Sequence, residues 1–343
     1  MTIFVTGGAG FIGSEFIRQA VGSHKIINFD KLTYAGNLDN LAPVANNPNY
    51  SLAIGDVCDA KAVADALPEN CDAIVHFAAE SHVDRSILSA EEFVRTNVLG
   101  TQVMLDVARH RKTKRFLNIS TDEVGGDMAL TESGQGWLNA DSPLRPSSPY
   151  AASKTAAEHF VRAAAHTFGM DALVTRTSNN YGPYQFPEKL LPLAISNAVE
   201  DRPIPVYGDG LQVRDWIHVT DNCKALLMVL ERGKSGGTYH MGGGGPLANI
   251  DVLKTLLKVL GKPESLLTSV TDRLGHDRRY AVDFSKTTEE LGWRPEISFE
   301  DGLRATVEWY RTNAEWVRRC RSGEYRVYYE QMYGAREASA KTL

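Results

Sequence analysis

Two short motifs combine side chains that could transfer protons. In the first, Asp122 and Glu123 follow an apolar run at residues 115–120 that is typical of a buried strand. Two adjacent carboxylates repel each other, so one would have a raised pKa and could serve as an acid while the other serves as a base. The residues alone leave open an alternative, in which an acidic loop caps the next helix.

The second motif pairs Tyr150 with Lys154, four residues later. On a helix these side chains share a face, and Ser148 followed by Pro149 is typical of a helix start. A lysine ammonium one turn away would lower the tyrosine pKa, so the phenolate could take a hydroxyl proton while hydride leaves the same carbon. Because this spacing also occurs by chance, the motif gains weight only beside a site for a hydride acceptor.

A glycine motif at the start of the chain indicates such a site. Gly7, Gly10 and Gly13 follow an apolar run at residues 3–5 and open a helix predicted at 11–20. Glycine allows the tight turn, lets the backbone approach a pyrophosphate, and lets the helix pack on the strand. The pyrophosphate would lie at the helix N-terminus, where free N–H groups and the helix dipole favour an anion.

Two acidic residues extend the dinucleotide site. Asp30 ends the second strand-like run and is placed to bind the adenosine ribose hydroxyls. A carboxylate there would repel a 2′-phosphate, so NAD is favoured over NADP, although the neighbouring Lys31 weakens this argument. Asp56, followed by Val57, could reach the adenine amino group; equally, it could be a loop acid or a helix cap.

Strand-like and helix-like segments alternate along the first half of the chain. Apolar runs typical of buried parallel strands occupy residues 3–5, 25–30, 50–55, 73–77 and 115–120. Helices are predicted at 11–20 and 92–109, and later at 283–291 and 299–311. The alternation predicts an α/β fold with a Rossmann-type, doubly wound parallel sheet, in which ligands bind at the C-terminal edge.

The organisation changes after about residue 177. Five prolines fall within residues 183–205, which disfavours long helices and indicates loops that wrap a ligand. We predict an NAD-binding Rossmann domain at residues 1–178, to which the chain returns around 215–240, and a smaller C-terminal substrate-binding domain formed mainly by 179–330. The small, polar tail at 336–343 is predicted to be disordered.

Composition excludes several classes of function. The 343 residues carry a formal net charge of −5 and no basic stripe, so a nucleic acid partner is not expected. Neither an apolar run of the roughly 18 residues that a membrane helix needs nor a signal peptide is present, so no membrane partner is predicted. The four cysteines include no C-x-x-C pair; we therefore predict no metal site, and reduced thiols in a cytoplasmic protein.

Further segments carry a resemblance over nearly the whole chain. They are residues 30–37 (DKLTYAGN), 76–86 (HFAAESHVDRS), 120–124 (STDEV), 179–190 (NNYGPYQFPEKL), 213–216 (VRDW) and 275–280 (GHDRRY). With the glycine and Tyr-x-x-x-Lys motifs, the chain resembles the dTDP-glucose 4,6-dehydratases of the extended short-chain dehydrogenase/reductase superfamily. The acidic pair separates this family from sugar 4-epimerases on the same scaffold, which lack it.

The resemblance implies an NAD-dependent lyase that converts dTDP-glucose to dTDP-4-keto-6-deoxyglucose and water in deoxysugar biosynthesis. It implies that Tyr150 takes the proton of the C4 hydroxyl with the help of Lys154, and that Thr121 hydrogen-bonds this hydroxyl. Glu123 would remove the C5 proton, and protonated Asp122 would donate a proton to the C6 hydroxyl as it leaves as water. Hydride returns to C6, so NAD is regenerated in each cycle.

The resemblance also implies two sets of binding residues. Those expected to bind the cofactor are Gly7, Gly10, Phe11, Ile12, Gly13, Asp30, Lys31, Leu32, Thr33, Gly36, Asp56, Val57, Phe77, Ala78, Ala79, Ser81, Thr96, Tyr150 and Lys154. Those expected to bind the substrate are Ser81, Thr121, Asn179, Lys189, Leu190, Pro205, Tyr207, Arg214, Asn249, Arg273 and His276. The two arginines suit a diphosphate, because guanidinium is a planar, multi-donor cation; either could instead form an ordinary surface ion pair.

One position departs from the family. Gly125 and Gly126 stand where the family usually has Tyr-Gly. The missing ring is expected to change local packing and substrate range, so Gly125→Tyr would alter the Michaelis constant or sugar preference more than the chemistry.

Two alternative functions and a homodimer are also considered. The rival enzyme is a nucleotide-sugar 4-epimerase or decarboxylase on the same fold, and the rival of another class is a non-catalytic NAD-binding sensor. Neither would release water from C6. The family also implies a homodimer that forms through the helices around residues 92–109 and 150–168.

Overall fold

A computed structural model describes residues 1–128, 136–321 and 341–342. In its first half, strands and helices alternate in the order β1 (Thr2–Thr6), α1 (Phe11–Ala20), β2 (Lys25–Asp30), a 3₁₀ helix (Leu38–Val44), β3 (Tyr50–Ile54), α2 (Ala60–Ala66), β4 (Ala73–His76), α3 (Val83–Leu88), α4 (Glu91–Phe93), a π-helix (Val94–Leu99), α5 (Gly100–His110), β5 (Arg115–Thr121), a 3₁₀ helix (Asp122–Gly125), α6 (Pro149–Phe168) and β6 (Ala172–Thr177).

The second half has shorter strands. The order is β7 (Asn179–Tyr181), α7 (Leu190–Val199), β8 (Ile204–Tyr207), β9 (Val213–Arg214), β10 (Trp216–His218), α8 (Val219–Arg232), β11 (Thr238–Met241), β12 (Leu247–Ala248), α9 (Asn249–Leu260), a 3₁₀ helix (Glu264–Leu266), β13 (Leu267–Val270), α10 (Ser285–Leu291), α11 (Phe299–Thr312), α12 (Ala314–Cys320) and β14 (Lys341–Thr342).

Seven strands form the central sheet in the order β11-β6-β5-β4-β1-β2-β3. Every neighbouring pair is parallel. Strand order reverses at β1, which has β2 on one side and β4 on the other, and ligands of open α/β sheets bind at such a switch point. The predicted Rossmann-type, doubly wound parallel sheet is confirmed.

Helices cover both faces of this sheet, as its apolar strands require. Val5 of β1 and Phe16 of α1 belong to the core on one face, where α8 packs against α1. Phe4 of β1 belongs to the core on the other face, with Met104 of α5 and Val161 of α6. Alternate residues of one buried strand therefore hold the two helical layers in place.

A second lobe has its own core. Ile195 of α7, Leu256 of α9 and Val307 of α11 pack together there, beside a small sheet in which β8 pairs parallel with β13. Between these elements the chain returns to the central sheet, because α8 packs on α1 and β11 pairs with β6. The domain boundaries at residues 178 and 330 stay a prediction.

The helix predicted at residues 92–109 is interrupted by the π-helix Val94–Leu99. The wider turn contains Asn97, whose buried amide accepts a hydrogen bond from the N–H of Glu80 (2.8 Å) and donates to the Glu80 carbonyl oxygen (2.9 Å) and to Ser153 Oγ (2.8 Å). Single-turn π segments are frequent at functional sites. Here the segment joins the loop after β4 to α6.

The structure also bears on the predicted disordered tail and on membrane-spanning helices. Of the tail predicted to be disordered, residues 336–340 and 343 lie outside the described residues, while Lys341–Thr342 pair antiparallel with β13. Within the described ranges, no helix is both long enough and apolar enough to span a bilayer.

Candidate active site

The glycine turn between β1 and α1 forms one wall of a cleft at the switch point of the sheet. Gly7 has a φ of 69°, and a Cβ there would lie 2.6 Å from the backbone nitrogen of Ala78. Gly10 is the N-cap of α1, and a Cβ on Gly13 would collide with the Gly7 carbonyl oxygen. Within the described first turn of α1 there is neither a capping side chain nor an acid, so its N–H groups suit a pyrophosphate.

Asp30 fixes the shape of this turn. Its Oδ2 accepts a hydrogen bond from the N–H of Ala9 (2.9 Å), and its Oδ1 accepts one from the N–H of Leu32 (2.8 Å). Burial raises the pKa of Asp30, whereas the two N–H donors oppose the rise. The Asp30 carboxylate therefore orders the backbone at Ala9 and at Leu32, and it also lines the cleft.

Asp56 has more partners than a ribose or adenine contact requires. Its Oδ1 accepts from the N–H of Cys58 (2.9 Å), and its Oδ2 lies 2.9 Å from Lys31 Nζ and 3.2 Å from Arg95 Nη2. The Cys58 N–H and the Lys31 ammonium lower the pKa of Asp56 to about 2, although burial acts in the opposite direction. Asp56 is thus a charged loop acid that also lines the cleft, and its contact with adenine stays a prediction.

The cleft collects the predicted cofactor residues, with one exception. Leu32 is not among its lining residues; it has a φ of 54° and packs against the core beneath. Lining residues that the sequence did not suggest include Asn37, Asn40, Glu80, Glu92, Asn180, Tyr184, Gln185, Phe186, Glu188 and Trp316. Several of them come from the second lobe, and no local sequence motif indicates that this lobe packs beside the cleft.

Thr121, Asp122 and Glu123 lie together at the C-terminal end of β5 and line the same cleft. Thr121 Oγ1 accepts from the N–H of Glu123 (3.3 Å) and is 3.2 Å from Asp122 Oδ1, to which it donates. Helix α6 is capped by Ser148, whose Oγ accepts from the N–H of Ala151 (3.1 Å). The acidic pair therefore does not cap the next helix, and the loop-cap alternative is wrong.

The two carboxyl groups have different surroundings. Burial, and then the charge of Glu123, raise the pKa of Asp122 to about 8. Its Oδ2 is buried without a hydrogen-bond partner in the described part of the chain. Burial also raises the pKa of Glu123, but Arg273 and Arg214 oppose the rise. At neutral pH Asp122 holds a proton, while Glu123 is surrounded by positive charge that favours its carboxylate.

Tyr150 and Lys154 lie on α6, facing β5. Lys154 Nζ donates a hydrogen bond to the Ile119 carbonyl oxygen (2.6 Å), and burial lowers the pKa of Lys154 to about 8. Burial, followed by the charge of Glu123, raises the pKa of Tyr150, and a hydrogen bond with Thr121 opposes this. The help that Lys154 gives in lowering the tyrosine pKa stays a prediction.

Four of the predicted substrate residues line the cleft: Thr121, Ser81, Asn179 and Lys189. Lys189 Nζ donates to the Ser81 carbonyl oxygen (2.8 Å), which joins the loop before α7 to the loop after β4. The other seven are not among the lining residues; they are Leu190, Pro205, Tyr207, Arg214, Asn249, Arg273 and His276. Leu190 begins α7, Pro205 lies in β8 and Asn249 begins α9.

Arg214 is not a surface ion pair. It is buried, donates to the carbonyl oxygens of Val213 (2.7 Å) and Asp277 (3.0 Å), and stacks over the Tyr280 ring at 4.3 Å. Its charge opposes the rise in the pKa of Glu123 that burial causes.

Arg273, Tyr207 and His276 form a group beside Asp84. Arg273 Nη1 lies 3.9 Å from Asp84 Oδ1, and the Tyr207 hydroxyl donates to Asp84 Oδ2 (3.0 Å). His276 packs edge-on against the Tyr207 ring, and burial lowers its pKa to about 4. His276 is therefore neutral at physiological pH, and its Nδ1 lies 2.6 Å from Asp272 Oδ1.

The space beside Gly125 is filled. A Cβ there would lie 2.6 Å from Leu138 Cδ1 and 2.6 Å from Met128 Cε. Leu138 is completely buried and is held by its N–H, which donates to the Ala281 carbonyl oxygen (2.8 Å). A tyrosine at position 125 would have to displace these apolar side chains, and its effect on the Michaelis constant or sugar preference stays a prediction.

Metal chemistry finds no support in the described ranges, where no cluster of three or more His, Cys, Asp or Glu side chains could hold an ion.

Comparisons with known proteins agree with this geometry. The family model described as GDP-mannose 4,6 dehydratase matches residues 4–306. A dTDP-glucose 4,6-dehydratase of Shigella flexneri is 46% identical, covering 98% of this chain and 100% of that protein. One from Streptomyces niveus is 49% identical over 92% of this chain and 94% of that protein. The dTDP-glucose 4,6-dehydratase of Streptomyces venezuelae, solved with NAD and dTDP bound, superposes with a TM-score of 0.90 at 47% identity, covering 93% and 100%.

Replacing Asp30 tests the dinucleotide site. Asp30→Ala removes the acceptor of two backbone N–H groups as well as the ribose contact, and a hydrogen bond to a charged group contributes about 1.5–3 kcal/mol. We expect NAD to bind at least roughly tenfold more weakly by calorimetric titration of the stripped protein. Asp65→Ala, which removes an exposed acid paired with Lys61, is the control. Equal NAD affinity in the two variants would exclude the site.

Replacing Gly125 tests the packing around the acidic pair. Gly125→Tyr should destabilise the protein by about 1–3 kcal/mol or more, as overpacking does, and thermal unfolding would show a lowered midpoint. Leu138→Ala should partly restore the midpoint in the double variant, because it vacates the same volume. A Gly125→Tyr protein that melts like the wild type would show that this volume is open.

Proposed function

The chain belongs to the dTDP-glucose 4,6-dehydratase family, and from this premise we propose how its residues convert dTDP-glucose to dTDP-4-keto-6-deoxyglucose and water. It is an NAD-dependent hydro-lyase, and the predicted family and cofactor are confirmed. The observation that carries the proposal is that buried Asp122 and partly exposed Glu123 line the cleft together with Tyr150. Neither an epimerase nor a sensor needs an acid for a leaving C6 hydroxyl.

The residues of the cleft fit NAD. The uncapped N-terminus of α1 suits the pyrophosphate, and Asp30 suits the adenosine ribose. When bound, NAD supplies the acceptor for the C4 hydride and returns that hydride at C6. The protein must therefore present the sugar to the cofactor and move the protons.

Oxidation at C4 needs a base for the hydroxyl proton. Tyr150 accepts this proton as a phenolate, and Thr121, hydrogen-bonded to Tyr150, also contacts the hydroxyl. Because burial and Glu123 raise the tyrosine pKa, the phenolate needs a neighbouring cation. Lys154, on the same face of α6, provides it by turning from the Ile119 carbonyl oxygen.

Elimination needs a base at C5 and an acid at C6. The C4 ketone acidifies the C5 hydrogen, which Glu123 removes; its raised pKa makes it a stronger base than an exposed glutamate. Asp122 is protonated at neutral pH because its pKa is about 8, and it delivers its proton to the departing C6 hydroxyl. Water can then leave where hydroxide would not, and the proton held by Glu123 returns to C5 when the hydride is added at C6.

Binding of the nucleotide sugar falls to the second lobe in this proposal. Lys189, Arg214 and Arg273 each oppose the rise in the pKa of Glu123, so all three place positive charge near the acidic pair. Lys189, Ser81 and Asn179 also line the cleft. We assign the diphosphate to the arginines, because they are planar, multi-donor cations.

Assembly and location belong to the proposal as well. Val94 and Leu99 on the π-helix and Phe160 and Phe168 on α6 are large apolar side chains that are exposed. They support a homodimer through these helices, since such patches mark protein interfaces. The four cysteines, all within the described residues, are free thiols, which supports a cytoplasmic location.

Asp122→Asn is the test of the mechanism. The variant should oxidise C4 on mixing with dTDP-glucose, seen as the absorbance of reduced nicotinamide, because oxidation uses other side chains. Release of the dehydrated product, followed by mass, should fall roughly 10²–10⁴-fold. Dehydrated product at the wild-type rate would remove Asp122 from the mechanism, and product of unchanged mass from the wild type would favour an epimerase.

Glu123→Gln is the matched isosteric partner of that variant. It should also stall after oxidation, and in deuterated water it should lose the exchange of the C5 hydrogen that the wild type shows. In the wild type, substrate deuterated at C4 should give product deuterated at C6. A C4 label that washes out into solvent would contradict the return of the same hydride.

The pH dependence follows from the raised pKa of Asp122. The acid is active when protonated, so product formation should fall as pH rises through about 8. Lys154 loses its charge in the same range. In Asp122→Asn, the rate of C4 oxidation should therefore still fall at alkaline pH, because Lys154 loses its charge there. A wild-type rate that stays constant well above this pH would contradict both assignments.

A further inference from the structure

The loop after β2, residues 31–37, forms part of the cofactor cleft. Lys31, Thr33 and residues 35–37 line the cleft, whereas Leu32 packs against the core and Tyr34 is not among the lining residues. The end of the loop is fixed where the N–H of Asn37 donates to the Ala9 carbonyl oxygen (3.0 Å). Tyr34 holds the middle, and its contacts decide how firmly the loop stays over the cleft.

Tyr34 is bound on three sides by residues of other elements. Its hydroxyl donates to Glu188 Oε1 (3.3 Å), in the loop before α7. The guanidinium of Arg85, on α3, lies 4.0 Å from the centre of the Tyr34 ring, and Phe186 meets the ring edge-on at 5.6 Å. Arg85 Nε is also 3.4 Å from Glu188 Oε2. We call Tyr34, Arg85 and Glu188 the Tyr34 clasp.

Burial strengthens this arrangement. The Glu188 side chain is 2% exposed and that of Arg85 25%. Burial raises the pKa of Tyr34 above its ordinary value, so the phenol keeps its proton and donates. Burial also raises the pKa of Glu188, while Lys189 and Arg85 oppose the rise. A hydrogen bond and an ion pair in such surroundings are screened less than their surface counterparts.

The clasp spans the cleft. The loop that carries Tyr34 supplies Lys31 and Thr33 to one wall, while Phe186 and Glu188 belong to the other wall. Tyr34 thus ties the cofactor loop of the central sheet to the loop of the second lobe that precedes α7. The contact therefore holds together two loops that both line the cleft.

We propose that the Tyr34 clasp retains NAD between turnovers. The inference rests on the NAD site of the proposed function and adds a kinetic property to it. A reaction that returns its own hydride needs no cofactor exchange, so slow release costs the enzyme nothing in turnover. Tyr34 is a positioning residue, since it acts on the cofactor through the loop that it holds.

The test measures NAD release from the purified holoenzyme. Radiolabelled NAD is loaded and chased with unlabelled NAD, and the exchange rate is followed. Tyr34→Phe keeps the ring under Arg85 and removes the hydroxyl bond alone, so release should accelerate roughly tenfold, the effect of one lost hydrogen bond to a charged acceptor. The turnover number with saturating NAD should not change, because Tyr34 does not line the cleft.

Tyr239→Phe is the matched control. Tyr239 lies on β11, towards the opposite end of the sheet from β2, and its hydroxyl donates to Glu290 Oε2 (2.8 Å) and accepts from the N–H of Lys234 (2.8 Å). Its NAD release should equal that of the wild type. Glu188→Gln should accelerate release, and combining it with Tyr34→Phe should add less than the sum of the two effects, since both weaken one contact.

The outcomes separate the two proposals. Wild-type protein that retains no NAD would overturn the cofactor site and with it the clasp. Wild-type protein that retains NAD, with Tyr34→Phe releasing it at the same rate, would overturn the clasp alone. Equal acceleration in Tyr34→Phe and Tyr239→Phe would also overturn it, because the effect would then reflect general loosening of the fold.

Discussion

Two adjacent carboxyl groups lie at the end of β5, Asp122 buried and Glu123 partly exposed, and the rest of the site is arranged around them. Asp122 is shielded from bulk water, so charging it beside Glu123 at neutral pH would need large compensation. The protein resolves this by leaving the proton on Asp122, whose pKa is about 8, and by placing cations near Glu123. A conflict that would destabilise an ordinary loop thereby becomes an acid and a base side by side.

The position of α6 must be maintained for this pair to be useful. Lys154 joins the helix to β5 through the Ile119 carbonyl oxygen (2.6 Å). One turn further along, Glu158 accepts from Arg176 of β6 in an ion pair of 2.7 Å, with both side chains fully buried. Loss of one partner from such a pair leaves an uncompensated buried charge, which is strongly destabilising. The pair therefore fixes the helix that carries Tyr150 against the sheet.

The parts of the site that the sequence predicts are those whose geometry is local. The glycine turn, Asp30 and the Tyr150–Lys154 pair each lie within one strand, turn or helix, so their spacing fixes their relative positions. Glu188 and Trp316 line the same cleft but come from loops and helices far along the chain, and periodicity carries no sign of them. The π-helix Val94–Leu99 is predicted as part of an ordinary helix, because its apolar pattern resembles that of an α-helix.

The roles of acid and base are likewise not a local property of the Asp-Glu dipeptide. Arg273, Arg214 and Lys189 oppose the raised pKa of Glu123, whereas Arg214 is the cation among the main influences on the pKa of Asp122. All three cations belong to the second half of the chain and reach the pair only when the lobes pack together. The dipeptide alone therefore indicates that one carboxyl group holds a proton, and packing of the second lobe decides which one.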